Sequence, residues 1–220
     1  MLPWVTLDTT ATPDGTPLTL VQRGDELVIR AGGKDLMSSR MHGSEEAMAA
    51  LARPADRPDA RILVGGLGMG FTLRAALGVL PPGGRCTVAE LVPAVVDWNR
   101  GPLGPLAGNP LDDPRAVLRV EDVREVLRTT PDSWDSILLD VDNGPDAFTQ
   151  PENDALYTVK GLQRARMALR RGGVLAVWSA YESPEFPKRL QKAGFRPEAH
   201  RVRARAEGKG PRHVIYLGRI

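Results

Sequence analysis

A glycine-rich segment stands where a bound ligand could meet the backbone. It reads Gly65-Gly66-Leu67-Gly68-Met69-Gly70 and lies between a short apolar run and a helical pattern. Glycine lets a backbone approach a ligand closely, and the N-terminus of the following helix offers unpaired N–H groups. Dinucleotide-binding proteins use a similar turn, and a tight strand–helix turn can also be purely structural. The segment alone therefore leaves its ligand open.

Two acidic residues follow at the ends of the next two predicted strands. Glu90 ends the run Arg85–Glu90, and an acid at about this distance from the glycines can accept hydrogen bonds from ribose hydroxyls. Asp122 follows the run Ala116–Val120. Its carboxylate can accept from an adenine amino group, with Val123 packing on the ring, and it can also cap the helix that starts there. One adenosine-binding groove at the carboxyl ends of the strands explains the glycines and both acids.

The loop after the fourth predicted strand is rich in acids. It carries three carboxylates and one amide, from Asp140, Asp142, Asn143 and Asp146. Such a cluster can hold a cationic or nucleophilic amine and accept its proton. The same composition also favours a turn stabilised by Asx side chains. Because active sites gather at this edge of a parallel sheet, we favour the functional interpretation.

Other catalytic signatures are missing from the sequence. It has no Gly-x-Ser-x-Gly nucleophile elbow and no histidine cluster for a metal. Cys86 is the only cysteine, which excludes an internal disulfide and a cysteine-rich zinc site. We expect no metal cofactor and a core position for Cys86. His42, beside a turn, fits a structural or a catalytic role.

The composition is that of an ordinary globular protein. A net charge of +2 gives no nucleic-acid footprint, although Arg201, Arg203 and Arg205 alternate and leave such contact as a minor alternative. No stretch approaches the roughly 18 apolar residues that span a bilayer, and the N-terminus lacks a secretory signal. We expect a cytoplasmic protein with neither a membrane nor a nucleic-acid partner.

Strands and helices alternate from Arg61 to Ala193. This pattern predicts an α/β fold of the Rossmann-like class I methyltransferase type, with a mostly parallel sheet covered by helices on both faces. A C-terminal antiparallel hairpin and a small N-terminal β segment are predicted to flank it. We divide the chain into an N-terminal segment with its linking helix, residues 1–52, and a nucleoside-binding catalytic domain, residues 53–220. One long helix is predicted over Asn153–Arg170.

These motifs resemble the spermidine synthase family, within the class I S-adenosylmethionine-dependent transferase superfamily. The likeness covers most of the chain. Besides the glycine segment and the N-terminal β segment, it includes His42–Leu51, Val88–Leu91, Glu121–Glu125 and Trp134–Asp140.

The resemblance implies a complete site. The donor is S-adenosylmethionine or its decarboxylated form, and the residues implied to hold it are Gly65, Gly66, Leu67, Gly68, Gly70, Glu90, Leu91, Asp122 and Val123. The acceptor is a small molecule, an amine, and the residues implied to contact it are His42, Glu46 and Asn143. Asp140 and Asp142 share the binding and base roles of catalysis. The family is typically dimeric through its N-terminal strands, so a homodimer is expected.

The chain departs from the family pattern at three positions. Gly68 stands where the family carries an Asp, and Asn143 replaces the second acid of Asp-x-x-Asp. Ser44 stands where a Tyr is usual, if Glu46 matches the family's helix Glu. Aminopropyl transfer to an amine is the leading hypothesis. Methyl transfer from S-adenosylmethionine, a non-catalytic nucleoside-binding protein and an NAD-dependent oxidoreductase remain as alternatives.

Overall fold

The structure is a computed structural model that describes residues 2–54, 57–141, 144–145, 154–205 and 210–220. Four antiparallel strands in chain order form the N-terminal sheet within this part: β1 Val5–Ala11, β2 Pro17–Arg23, β3 Glu26–Ala31 and β4 Lys34–Ser38. Helix α1, Gly43–Leu51, follows. The sequence predicts only the hairpin of β2 and β3 explicitly.

A larger, mostly parallel sheet follows. Its strands are β5 Arg61–Gly65, β6 Arg85–Glu90, β7 Ala116–Val120, β8 Trp134–Leu139, β9 Leu169–Ser179, β10 Arg196–Arg203 and β11 Arg212–Arg219. Among the described residues these seven pair in the order β10-β11-β9-β8-β5-β6-β7, and only the pairs that involve β11 are antiparallel. The predicted Rossmann-like fold with its C-terminal hairpin is confirmed.

Helices connect these strands. They are α2 Phe71–Val79, α3 Pro93–Arg100, α4 Val123–Thr129, α5 Asp154–Tyr157, α6 Val159–Ala168 and α7 Phe186–Lys192, with two short 3₁₀ turns at Gly104–Ala107 and Pro110–Asp112. Pro93 opens α3, at the position where a missing N–H costs least. The predicted long helix over Asn153–Arg170 is wrong in its extent.

The interruption of that helix has a local cause. The Thr158 hydroxyl accepts a hydrogen bond from the Gly161 N–H and so begins a new helix. Gly161 also lies so close to the carbonyls of Ala155 and Leu156 that a Cβ there would collide with them. At the other end, Leu169 leaves the helix and pairs with Trp134 of β8. Asn153 lies outside the described residues.

The core lies on both faces of the large sheet. Side chains alternate along β5, so Ile62 and Val64 join the cluster under α1, α2 and α3, whereas Leu63 joins the cluster under α4, α6 and α7. The first cluster also contains Leu20 and Ile29 of the N-terminal sheet. The N-terminal sheet therefore packs on the face that carries α1 and α2. The division at residues 52 and 53 stays a prediction.

A substitution in the glycine turn after β5 measures how much stability depends on the close packing of that turn. Gly66 has φ +90°, and a Cβ there would lie 2.5 Å from the carbonyl oxygen of Asp140. We expect Gly66→Ala to lower the free energy of unfolding by at least about 2 kcal/mol, because it combines backbone strain with a clash against main chain. Chemical denaturation measures this change.

Gly78→Ala is the matched control. Gly78 lies in α2, is exposed, and a Cβ there would meet no atom within 4 Å. Alanine should raise the free energy of unfolding by about 0.5–1 kcal/mol, since it restricts the unfolded chain. Equal effects of the two substitutions would contradict the proposed tight fit of Gly66.

Candidate active site

The glycine turn, Glu90, Asp122 and Asp140 lie at the carboxyl edge of the large sheet. β5 pairs with β6 on one side and with β8 on the other. The chain therefore passes from β5 through β6 and β7 in one direction and returns to the opposite side of β5 with β8. A crevice forms at such a switch point, and it is where open α/β sheets bind their ligands.

The glycine turn is fixed to both neighbouring strands. The Gly66 N–H donates to the carbonyl of Ala89, and the Asp140 N–H donates to the carbonyl of Gly65, each at 2.9 Å. Gly66, Gly68 and Gly70 all have positive φ, with Gly70 as the N-cap of α2. The turn thus lies flat against the end of β8, and it leaves the first N–H groups of α2 at the crevice.

Glu90 lies under this turn. One carboxylate oxygen accepts from the Leu67 N–H at 2.9 Å, and the other accepts from the Val92 N–H at 2.8 Å. Only 8% of the residue is exposed, and burial raises the pKa of Glu90 while these N–H donors oppose the rise. Contact of Glu90 with ribose hydroxyls stays a prediction.

Asn99 of α3 also holds the turn, and the sequence analysis did not select it. Its amide nitrogen donates to the carbonyl of Gly68 at 2.8 Å and to that of Val95 at 2.9 Å. Its amide oxygen has no hydrogen-bond partner among the described residues. An asparagine inside an amphipathic helix was the only signal in the sequence, and many surface helices share it.

Asp122 caps α4, as one of its two interpretations predicts. One oxygen accepts from the Arg124 N–H at 2.7 Å, and the other accepts from the Arg124 guanidinium at 2.6 Å. Val123 is buried, and its methyl group would lie 2.9 Å from a Cβ on Gly65. Leu91, 40% exposed, stands at the mouth of the groove. Adenine contact by Asp122 stays a prediction.

Met37 of β4 forms a wall of the glycine turn. A Cβ on Gly68 would lie 2.9 Å from the Met37 methyl carbon and 3.0 Å from its sulfur. The N-terminal sheet therefore fills, with an apolar thioether, the space that a side chain at position 68 would need. No carboxylate can enter from position 68 without displacing Met37.

Asp140 lies where β8 meets the turn. The Thr72 hydroxyl, in the first turn of α2, donates to its carboxylate at 2.5 Å, and burial raises the pKa of Asp140. Glu45 of α1 is only 5% exposed. Burial and the nearby charge of Asp140 raise the pKa of Glu45. Two carboxyls, from α1 and from the end of β8, thus share one low-dielectric space.

The structure places Glu46 and His42 elsewhere on α1. The Glu46 carboxylate pairs with His42 Nδ1 at 3.1 Å and with the Arg74 guanidinium. The His42 ring stacks on Phe71, with ring centroids 4.5 Å apart. These partly exposed side chains link α1 to α2 at the rim of the groove. Glu45, which the sequence analysis passed over, is the residue beside Asp140.

Asp142 and Asn143 lie outside the described residues. On either side of them, the Val141 carbonyl accepts from the Tyr157 hydroxyl at 3.0 Å, and Gly144, with φ +102°, lies against Ser179. The roles assigned to Asp142 and Asn143 stay predictions.

Comparisons with known proteins point to one family. The chain is 34% identical over 135 residues to polyamine aminopropyltransferase 2 of Pseudomonas aeruginosa, which is 58% of this chain and 36% of that protein. It is 28% identical over 126 residues to a polyamine aminopropyltransferase of Korarchaeum cryptofilum, which is 56% of this chain and 36% of that one. The matches thus span about a third of these relatives. No family model matches the chain.

Solved structures match over nearly the whole chain. The spermidine synthase of Thermotoga maritima superposes with a TM-score of 0.75 at 18% identity, over 97% of this chain and 72% of that one. A spermidine synthase in complex with the transition-state analogue AdoDATO gives 0.74 at 18% identity, with the same coverage. A probable spermidine synthase of Corynebacterium glutamicum gives 0.67 at 21% identity, over 98% of this chain and 79% of that one.

The chain has a spermidine synthase-like fold. The resemblance inferred from its motifs is confirmed by these matches, and the fold is shared over nearly the whole chain. Within the described part of this chain, no helix is long and apolar enough to cross a membrane. No group of three or more potential metal ligands occurs within that part either.

The paired carboxyls of this spermidine synthase-like chain predict a pH-dependent stability. The raised pKa of Glu45 means that the folded protein holds a proton which the unfolded chain releases. This contribution is complete below the usual carboxyl pKa and is lost as the pH rises above it. Glu45→Gln stays neutral at every pH. Because the pKa of Glu45 rises from 4.5 to about 8, the variant should gain about 3 kcal/mol of stability relative to the wild type between pH 5 and pH 8, at about 1.4 kcal/mol for each pKa unit.

Urea denaturation at pH 5 and pH 8 measures this difference. At pH 5, where Glu45 is protonated in the folded state, the variant and the wild type should agree closely. A difference that stays constant between the two pH values would show that Glu45 is not a buried acid.

Proposed function

We propose that this chain transfers the aminopropyl group of decarboxylated S-adenosylmethionine to a small amine. The observation that supports it most directly is the position of Asp140. Its main chain lies against Gly66 of the glycine turn, and its part-buried carboxyl is near enough to Glu45 to raise the pKa of that residue. An amine bound by these carboxyls would stand next to the donor's reactive carbon. The names of the curated relatives and the fold agree with this proposal.

Each residue has a role in the proposed reaction. Glu90 and the N–H groups of the glycine turn hold the donor's ribose, and Asp122 with Val123 borders the adenine. The donor supplies a sulfonium, which makes its neighbouring carbon open to displacement. Asp140 orients the acceptor amine in line with that carbon and accepts its proton, so that position and deprotonation supply most of the acceleration.

Methyl transfer is a second candidate, favoured by the wall that Met37 forms at Gly68. An acid at position 68 would bind the amino group of the donor's tail, and here an apolar thioether occupies that place. A donor that keeps its carboxylate meets no negative charge from position 68. The donor therefore has to be tested directly.

Calorimetric titration separates the two functions. We expect decarboxylated S-adenosylmethionine to bind at least about tenfold more tightly than S-adenosylmethionine, a difference of about 1.4 kcal/mol. Glu90→Gln should weaken both donors about tenfold, because it weakens an acceptor of ribose hydrogen bonds. Tighter binding of S-adenosylmethionine would favour methyl transfer, and binding of NAD alone would contradict both proposals.

Asp140→Asn tests the proposed base. The amide keeps the size of the carboxyl and can accept from Thr72, but it cannot take up a proton. We expect kcat, measured as release of the thioether nucleoside with diamine acceptors, to fall about 100-fold or more. Asp97→Asn, an exposed aspartate of α3, is the matched control and should leave kcat unchanged. Equal activity of the two variants would exclude Asp140 as the base.

We also propose a cytoplasmic homodimer without a nucleic-acid partner. β1 is an edge strand that exposes Val5 and Leu7, which supports pairing through the N-terminal sheet. Among the C-terminal arginines, Arg201 pairs with Glu182 and Arg219 pairs with Glu198. This pairing reduces the basic charge that nucleic acid would need.

A further inference from the structure

Ser44 connects the carboxyl pair to a histidine on a distant strand. Its hydroxyl donates to the Glu45 carboxylate at 2.7 Å and lies 3.0 Å from His213 Nδ1. Ser44 is 1% exposed, so no bulk water competes for these bonds. A hydroxyl that bridges an acid and an imidazole can accept a proton from one and donate its own to the other.

The fold fixes this bridge in place. Helix α1 packs against β11, which carries His213. The Gly43 N–H, one residue before Ser44, donates to the carbonyl of Ala204 at 2.8 Å and so ties the start of α1 to the chain after β10. The His213 ring also packs edge-on against Trp178 of β9, with ring centroids 4.7 Å apart. The packing of α1, β11 and β9 therefore holds Ser44 and His213 next to each other.

The surroundings of the bridge are sparsely charged. Next to Glu45 stand Glu46 on its own helix and Asp140 from the end of β8. Next to His213 stand Ser44 on α1, Trp178 on β9 and Val202 on β10. Burial lowers the pKa of His213, so this imidazole is neutral near pH 7 and its ring nitrogens can act as one donor and one acceptor.

We propose that Ser44 and His213 form a proton relay that carries the acceptor's proton from the Asp140–Glu45 pair to solvent. This inference rests on the proposed transfer to an amine. In that reaction the amine nitrogen bonds to carbon, the carbon–sulfur bond breaks, and its electron pair stays on sulfur. The proton of the amine passes to the Asp140 carboxylate, and Asp140 regains its charge by giving that proton to Glu45 once Glu45 has released its own proton to Ser44. Without an exit, that proton would leave the base protonated for the next turnover.

The net result of the relay is the transfer of one proton from Glu45 to water. Protonated Glu45 donates its proton to the Ser44 oxygen, while the Ser44 hydroxyl proton passes to Nδ1 of neutral His213. The products are the Glu45 carboxylate and an imidazolium, which then loses the proton on Nε2 to water. The partly exposed ring of His213 allows that last step. Ser44 and His213 are positioning residues here, since neither touches the substrate.

The relay makes a prediction about the tautomer of His213. When Glu45 is protonated, it donates to Ser44, Ser44 donates to Nδ1, and neutral His213 carries its proton on Nε2. When Glu45 ionises, Ser44 donates to the carboxylate instead, and Nδ1–H of His213 donates to Ser44. The tautomer should therefore switch from Nε2–H to Nδ1–H as Glu45 loses its proton.

Nitrogen-15 NMR of the histidine rings, recorded as the pH is raised, measures this change of tautomer in the intact protein without any substrate. The chain has three histidines, so His42→Gln, His200→Gln and His213→Gln assign the signals. We expect the switch for His213 in the wild type and in Ser44→Thr, which keeps a hydroxyl, and its loss in Ser44→Ala and Glu45→Gln. A constant tautomer, or a switch that survives Ser44→Ala, would overturn the relay.

Steady-state kinetics then test its use in turnover. Ser44→Ala and His213→Gln should each lower kcat about tenfold with KM unchanged, and added imidazole buffer should restore part of the loss. Because both residues act in the same proton path, the double variant should be no slower than either single variant. His200→Gln, on neighbouring β10, is the matched control. Losses that multiply, or that fall on KM alone, would overturn the relay.

The two experiments separate this inference from the proposed function. If no donor and amine give turnover but the tautomer switches as expected, the proposed function fails and the proton path itself stands. If the wild type turns over and the switch is absent, the transferase proposal stands and the relay is wrong.

Discussion

The close approach of Gly66 to the main chain of Asp140 is the contact on which the site depends. It brings the turn after β5 against the end of β8, and only a residue without a side chain fits between them. Because both segments are main chain, neither can move aside cheaply. This contact sets the distance between the glycine turn on one side of the crevice and the carboxyl of Asp140 on the other.

The glycine turn also determines what Glu90 and Asn99 can do. Glu90 accepts from the Leu67 N–H and Asn99 donates to the Gly68 carbonyl. Both a donor and an acceptor of the turn's backbone are therefore bound by side chains. A turn that is fixed before its ligand arrives loses less conformational entropy on binding. The burial of Glu90 strengthens these bonds for the same reason that it raises the pKa of that residue.

The larger sheet could be predicted from the sequence, since its strands have clear local signals. β5, β6 and β7 were predicted with their observed bounds because each is a short run that ends before a glycine or an acid. β1 and β4 were not singled out because β1 is exposed along most of its length and β4 is exposed at its first two residues, so neither shows an apolar alternation. The break before α6 depends on the packing of Gly161 against carbonyls of α5, which no local pattern encodes.

Helix geometry, and not the family pattern, decides which of Glu45 and Glu46 lies beside Asp140. The family pattern drew attention to Glu46, yet Met48, Ala49 and Ala52, all buried, follow Glu45 at helical spacing. This spacing places Glu45 on the buried face and turns Glu46 toward Arg74. The sequence was enough to predict which face of α1 is buried. It could not show that this face lies beside Asp140, because Asp140 follows a strand far along the chain.

The pairing of Glu45 with Asp140 has a consequence for the ligand that enters. The pKa of Glu45 is raised to about 8 and that of Asp140 to about 6, so the pair holds a proton near neutral pH. An ammonium group would supply that counter-charge and favour ionisation of both acids. A neutral acceptor would instead meet a partly protonated pair, which is a poor base. In the proposed reaction, the acceptor would therefore enter as an ammonium group and lose its proton to the acids only once it is held in place.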